Sequence, residues 1–440
     1  MNKNKIIFLI IGVIILISLV ILVSVLNSNS TKQTKNQKGS VNVWIVGDDQ
    51  KKFNDVLLSF KAKFPQYKDV NIVTTSFPNY GEYFDILMAS FLKGKNPDIF
   101  VLNNNDTNFF SGEIMGIDPK IISPDDFRKN YDIVFSNDLI KKIKIQDKDV
   151  EYLAGIPLGY EVLGLFYNFR EIKGKNLSTW SYINDTIREI NQEAGKTTIG
   201  IGNGSSVAEV EDIITQFLIL DGVTSLSDAT GDKLKSSLSN YIRFGDENLE
   251  NKYNALTTST SDNNLKSFSK GDIQMLIGYP RLLEEIDKNG FNKNFLRAEP
   301  FPTYTGSGKL LVNYNYFVIN KNTKNSVIAL DLMKYFSTQE GQKKYLEKFS
   351  YYLPSMLSLI NNRLEETLKN GYTLKYKNFY NPNIELTSFN KGIENVYNKE
   401  ITSILDKGIN SVDLFEILRK RLLCMSNKII TFENLGNPCE

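Results

Sequence analysis

Apolar and polar positions divide this chain into an unbroken apolar run, a short polar spacer and a long body of mixed periodicity. Lys3 and Lys5 precede Ile6 to Leu26, a run without a charge that only Gly12, Ser18 and Ser24 interrupt. A helix rising ~1.5 Å per residue over that length crosses a hydrocarbon core of ~30 Å. The lysines on its amino-terminal side keep the short tail in the cytoplasm. Residues 1–26 therefore read as a single-pass anchor with the body outside the membrane. The competing reading is a cleavable secretory signal. Its apolar region would run ~7–15 residues and end at a small-x-small site, to which Ser28-Asn29-Ser30 is a weak fit. The length of the run favours the anchor, and no cysteine follows it that could carry a lipid. Asn27 to Ser40, polar and carrying Lys32, Lys35 and Lys38, reads as a flexible linker.

The body opens on Val41-Asn42-Val43-Trp44-Ile45-Val46, a β-branched run that reads as a buried strand. Gly47-Asp48-Asp49 makes the turn, and either aspartate can cap the helix that follows. Phe53, Val56, Leu57, Phe60 and Phe64 then recur at helical spacing until Pro65. Val70 to Thr75 is a second strand, and Tyr80 to Lys93 a second helix with Tyr80, Tyr83, Phe84, Leu87 and Phe91 on one face. Pro97 to Leu102 is a third strand. This βαβαβ order predicts a parallel sheet with helices on its faces, which binds ligands outside the carboxyl ends of its strands. Those ends carry polar clusters, Asn103 to Asp106 among them, and no glycine-rich phosphate loop. Further on, the pattern predicts a strand over Ile273 to Ile277, a helix from Arg281, an extended Ala298 to Tyr304 and one strand over Leu310 to Ile319. A capping box at Ser337-Thr338-Gln339-Glu340 opens a helix towards Lys348. Helices are expected near Ile360 to Lys369 and over Ile384 to Leu422.

Composition narrows the function. A body of ~400 residues is too long for one core and suggests two domains. With 52 basic and 50 acidic residues and no basic block, nothing points to nucleic acid. The chain has no histidine. That removes Ser-His and Cys-His nucleophiles and imidazole metal centres together. Cys424 and Cys439 are the only cysteines. Outside the cell they are expected to form a disulfide that would stabilise by ~3 kcal/mol in the chain-entropy model, although spacing does not establish their separation.

Four landmarks in order resemble the extracellular solute-binding proteins of ABC importers, the family 1, maltose-binding-protein-like group. They are Trp44-Ile45-Val46-Gly47-Asp48, Pro97-Asp98-Ile99-Phe100, Leu158 to Asn168 with Glu161 and Tyr167-Asn168, and Phe268 to Met275. Arg297 to Pro302, Ser337 to Gln342 and Leu353-Pro354 follow in the expected places. The resemblance implies an α/β, two-lobed periplasmic-binding-protein-like (type II) fold with a hinge and interlobe cleft, preceded here by the N-terminal transmembrane helix. It places lobe one at 41–158 with 300–348, lobe two at 159–299 with 349–422, and a tail at 423–440.

What the resemblance implies about function is a membrane-tethered extracellular receptor, not an enzyme. It captures a small solute, a sugar or oligosaccharide, by hinge closure and delivers it to an ABC permease and its ATPase. A monomer without cofactor is expected. A ligand sensor with the same fold, or a cell-surface carbohydrate-active enzyme using Asp48 and Glu161, are the alternatives. The family's ligand contacts carry over to Asp48, with Asp49 where the family has a basic residue. They carry over also to Asn105 or, with one inserted residue, Asp106, and to Glu161. Maltose binders stack sugars on a tryptophan where this chain has Gly278-Tyr279-Pro280-Arg281. Arg281 offers no such apolar face, which puts maltodextrin specificity in doubt, while Tyr279 is an aromatic candidate. Tyr80, Tyr160, Tyr304, Tyr314 and Tyr316 are further ligand candidates.

Overall fold

The computed structural model describes residues 40–360 apart from 146, 195–196, 226–227, 229–230 and 246–262, together with 384–389, 391, 394–406 and 420. Among the described residues no helix is long and apolar enough to cross a membrane. The expected span at Ile6 to Leu26, the linker up to residue 39, the expected helix near Ile360 to Lys369 beyond Ile360, and both cysteines lie outside them; Ser40, read as the end of the linker, already belongs to the first strand.

The first lobe begins as the periodicity predicts, with β1 (Ser40–Val46), α1 (Gln50–Lys63), β2 (Asn71–Phe77), α2 (Tyr80–Leu92) and β3 (Ile99–Asn103). β1 pairs in parallel with β2 from Ser40↔Asn71 to Val46↔Phe77, and with β3 on its other side. β3 is buried along its whole length, as expected of a strand covered on both faces. Helix α1 buries Phe53, Val56, Leu57 and Phe60 against the sheet. Then come β4 (Ile114–Met115), α3 (Pro124–Asn130), α4 (Ile133–Leu139), the hairpin β5 (Ile140–Ile145) and β6 (Lys148–Leu153), and β7 (Ile156–Pro157).

The chain leaves this lobe through β8 (Glu161–Val162) into β9 (Gly164–Asn168). The second lobe continues with α5 (Trp180–Ala194), β10 (Thr197–Ile199), α6 (Val210–Leu220), α7 (Gly231–Ile242), α8 (Asn264–Lys270), β11 (Ile273–Gly278), α9 (Leu282–Lys288) and β12 (Leu296–Pro300). Its sheet runs β10-β11-β9-β12, with β11 fully buried.

The single strand expected over Leu310 to Ile319 is two strands in different sheets: β13 (Gly308–Asn313) and β14 (Asn315–Asn320). Only Tyr314 separates them. β14 is antiparallel to β3, β4 and β7 and completes the first-lobe sheet, in the order β2-β1-β3-β14-β4. β13 pairs with β8 instead, so the chain changes lobe at Tyr314. An apolar strand pattern has the same period on both sides of such a crossing, which is why the sequence reads as one element.

Helices α10 (Ser326–Phe336) and α11 (Gln339–Lys348) cover the first lobe. The cap of α11 is Thr338, whose hydroxyl accepts from the Gly341 N–H at 3.1 Å. Ser337, expected to cap, closes α10 and donates its hydroxyl to the Lys334 carbonyl. Just before the β8 crossing, Tyr160 and Leu353 exchange backbone hydrogen bonds of 2.9 and 2.8 Å. Gly159 permits this approach: a Cβ there would stand 2.6 Å from the Tyr352 Cβ and 3.1 Å from the Leu353 carbonyl. Beyond it, Ile384 to Thr387 forms a strand, β15, where a helix was expected. It lies parallel to β13 in a three-stranded sheet β15-β13-β8 between the lobes. The last helix is α12 (Glu394–Asp406).

Candidate functional site

The two lobes meet across a cleft walled by the carboxyl ends of β1 and β3 on one side and by the turns before α6 and α9 on the other. Lys52 of α1 reaches Glu284 of α9 across it, Nζ to Oε1 at 3.6 Å.

On the first-lobe wall, Gly47 takes a left-handed φ of 72° and turns Asp48 inward. Asp48 is 6% exposed. Its Oδ2 accepts from the Tyr345 hydroxyl at 2.5 Å and its Oδ1 from the Tyr351 hydroxyl at 2.9 Å. Burial pushes this carboxyl up to about 7; the tyrosine hydroxyls oppose the shift and the charge of Glu161 adds to it. Tyr352 packs against both rings, 5.8 Å from Tyr345 and 4.6 Å from Tyr351 between centroids. Asp49, by contrast, faces solvent. It is the residue that caps α1, accepting from the Lys52 N–H at 2.8 Å, and that backbone hydrogen bond holds its carboxyl low. Of the two aspartates, one caps and the other is left for the cleft.

At the end of β3, the Tyr80 hydroxyl donates to Asp106 Oδ2 at 2.6 Å and accepts from the Asn103 N–H at 2.8 Å. Asp106 is fully buried and so props the loop from behind. Asn105 is half-buried, and its Oδ1 accepts from the Lys391 N–H at 3.0 Å. Between the two candidates for the family's acidic contact, Asn105 is the one nearer the surface.

The second-lobe wall is an ion network. Glu161, 3% exposed, accepts from the Arg281 backbone N–H at 3.1 Å and from its guanidinium. Arg281 also donates to Glu209 Oε1 at 2.7 Å. Burial raises Glu161 despite the arginine beside it. Glu209 sits just before α6 with a φ of 59°, a left-handed conformation that glutamate adopts only under constraint. Beneath Arg281, the guanidinium carbon lies 4.6 Å from the centre of the Tyr279 ring. Tyr279 is fully buried and donates its hydroxyl to Asp212 Oδ2 at 2.6 Å. Asp212 is ion-paired with the buried ammonium of Lys391 and accepts from Asn313 at 3.1 Å. Burial would raise Asp212, but Lys391 and the Tyr279 hydroxyl outweigh it and hold the carboxyl low.

Residues 59–370 match the model of the bacterial extracellular solute-binding proteins. The chain belongs to that family. No curated protein sequence matches this solute-binding protein. Among solved structures it is similar to an ABC substrate-binding protein from Listeria monocytogenes in complex with cycloalternan. The identity there is 13% and the TM-score 0.65, over 88% of this chain and 98% of that one. It is similar also to the maltotriose-binding protein of Thermus thermophilus bound with maltotriose, at 15% identity and TM-score 0.62 over 87% and 99%. Maltose-bound MalE3 of T. maritima gives 14% and 0.63 over 87% and 99%. At these identities the likeness is one of fold, and the fold is the two-lobed one.

Within this solute-binding protein, Asp48 stands close enough to Glu161 to feel its charge, Glu161 holds Arg281, and Asn105 meets the other lobe through the Lys391 backbone. Four tyrosines expected at the cleft do not present themselves. Tyr160, Tyr314 and Tyr316 are core residues near the hinge; the Tyr314 hydroxyl donates to Asp138 and that of Tyr316 to Thr107. Tyr304 bonds Asn240 of α7 at 2.9 Å and lies by Asp221, at the end of α6 opposite Asp212, about 14 Å away along the helix. Tyr279 has one face covered by Arg281. The part-exposed aromatic rings beside Asp48 are instead those of Tyr351 and Tyr352, with Tyr345 buried behind them, all three passed over in the sequence analysis. Tyr351 and Tyr352 directly precede the Leu353-Pro354 landmark, which is the signal that could have found them. Glu209, Asp212 and Lys391 carried no sequence signal.

Proposed function

We propose that this protein is the membrane-tethered, extracellular receptor of an ABC importer, that it captures a small uncharged carbohydrate between its lobes, and that a permease takes the solute from the closed form. The family supports a solute receptor, and the three neighbours named above are bound to saccharides. The observation that carries the ligand class is the pairing of charges at the walls. Arg281 is committed to Glu161 and Glu209, and Lys391 to Asp212. An anionic solute would have to break one of these pairs. Asp48 takes hydroxyl donors from two tyrosines, the kind of donor that a sugar supplies, beside tyrosine rings suited to a pyranose face. The family is one of solute-binding proteins, which supports binding rather than hydrolysis. Tethering rests on Ile6 to Leu26, and the receptor acts as a monomer.

Isothermal titration of the protein against neutral mono- and oligosaccharides, with uronates, phosphosugars and peptides beside them, tests this reading. Heat with neutral sugars alone is the expected result. Binding of anions or peptides in their place would overturn the ligand class, and silence throughout would overturn the receptor reading.

A further inference from the structure

Strand β15 and helix α12, with Ser388 and Lys391 between them, touch both lobes. Their grip on the second lobe is deep. β15 pairs with β13 from Gly308↔Ile384 to Leu311↔Thr387. The Lys391 ammonium and Asp212 are paired with both groups buried. The hydroxyls of Tyr397 and Thr215 lie 2.9 Å apart in the interior, and Thr402 donates to Glu211 Oε1 at 2.6 Å. Their grip on the first lobe is lighter: α12 lies beside α2, and the bonds to that lobe are single polar contacts. Ser388 donates to Asp138 Oδ1 at 2.9 Å, and the Lys391 N–H donates to Asn105 Oδ1 at 3.0 Å. Lys399 Nζ stands 3.9 Å from Asp85 Oδ2 of α2, with both side chains about two-thirds exposed.

A strand pairing and a buried ion pair hold through a hinge motion, because breaking either leaves polar groups unmet inside the protein. The single polar contacts, two part-buried and one exposed, cost less to break than a strand pairing or a buried ion pair. We propose that β15, Ser388, Lys391 and α12 form a strap fixed to the second lobe that latches onto the first lobe when the cleft is closed, and so biases the solute-free protein towards the closed form. The latch contacts are made only while Asn105, Asp138 and Asp85 stand near the second lobe. They therefore add to the stability of the closed state and not to that of an open one. Lys391 sits where the two grips meet, bonded to one lobe by its backbone and to the other by its side chain.

The test uses the full chain in lipid nanodiscs without solute. A dye pair replaces exposed Lys51 on α1 and Glu285 on α9, which flank the Lys52–Glu284 contact, and reports the width of the cleft. The double variant Ser388→Ala/Lys399→Ala removes two latch contacts without altering the cleft walls. It should shift the solute-free distribution to longer separations and weaken any solute that binds the parent by about fivefold, since the solute must then drive more of the closure. Asp85→Asn cuts the exposed pair from the first lobe and leaves the strap's own sequence intact; a smaller shift in the same direction is expected. Unchanged distances in both variants would overturn the latch. So would a shift in the double variant alone, which would mean that the strap itself had unravelled. Because the distances are read without solute, failure of the sugar panel leaves the result interpretable.

Discussion

Asp48 shows how far one side chain's chemistry depends on what surrounds it. In the sequence it is one of two adjacent aspartates in a turn. In the structure Asp49 is a solvated cap and Asp48 a buried acceptor raised to about 7 from an ordinary 3.8. The sign of its effect on stability follows. The folded protein holds a proton on Asp48 that the unfolded chain releases, so the favourable contribution is complete below the unfolded pKa and is lost as pH rises through about 7. Glu211, raised to about 7 by burial, acts in the same direction. The Asp48→Asn variant should therefore match the parent near pH 4 and be more stable at pH 8, by up to a few kcal/mol. Thermal melts at the two pH values check this, and equal offsets at both would show that the buried charge is not the cause. Glu161→Gln tests the other wall. It keeps the shape, removes the charge that fixes Arg281, and should weaken solute binding by about tenfold or more, read by titration.

Secondary-structure elements were legible wherever their own periodicity decided them. The apolar face of α1, the run of β3 and the strand entry at Ile273 all appear in the structure at or within a few residues of their expected places. Errors fell where a neighbour decided the outcome. Tyr314 is a lobe crossing rather than the middle of a strand, and Ile384 to Thr387 is a strand because β13 offers it an edge. The cap of α11 moved by one residue for a related reason: Ser337 already serves as the C-cap of α10. Thr338→Ala should therefore cost ~1 kcal/mol of stability while Ser337→Ala costs less than half of that. Urea titration of both variants measures the difference, and the reverse order would restore the expected capping box.

At the scale of the molecule, the two lobes and the chain crossings between them are the frame on which the proposed closure would act, and the proposed amino-terminal anchor would hold that frame beside a membrane. The anchor is testable directly. The full chain should partition with membranes and require detergent for release, whereas a chain beginning at Ser40 should stay in the supernatant; sequencing the mature amino terminus distinguishes a retained anchor from a cleaved signal. Recovery of a mature chain starting near Thr31 would replace the anchor with a secretory leader.

Local rules reached a good deal of this protein. Pattern and composition by themselves determined an apolar amino-terminal run, an α/β body, a parallel βαβαβ start, the absence of histidine chemistry and the ordered landmarks of a solute-binding family. Those properties are written in short stretches of chain, where periodicity and residue type act without help. The make-up of the cleft was decided only by tertiary structure. Which aspartate turns inward, which of many tyrosines meet it, and that Lys391 is buried against Asp212 all depend on residues up to 303 positions apart being brought within a hydrogen bond. Burial and partner choice belong to the packed state, and no window of sequence contains them.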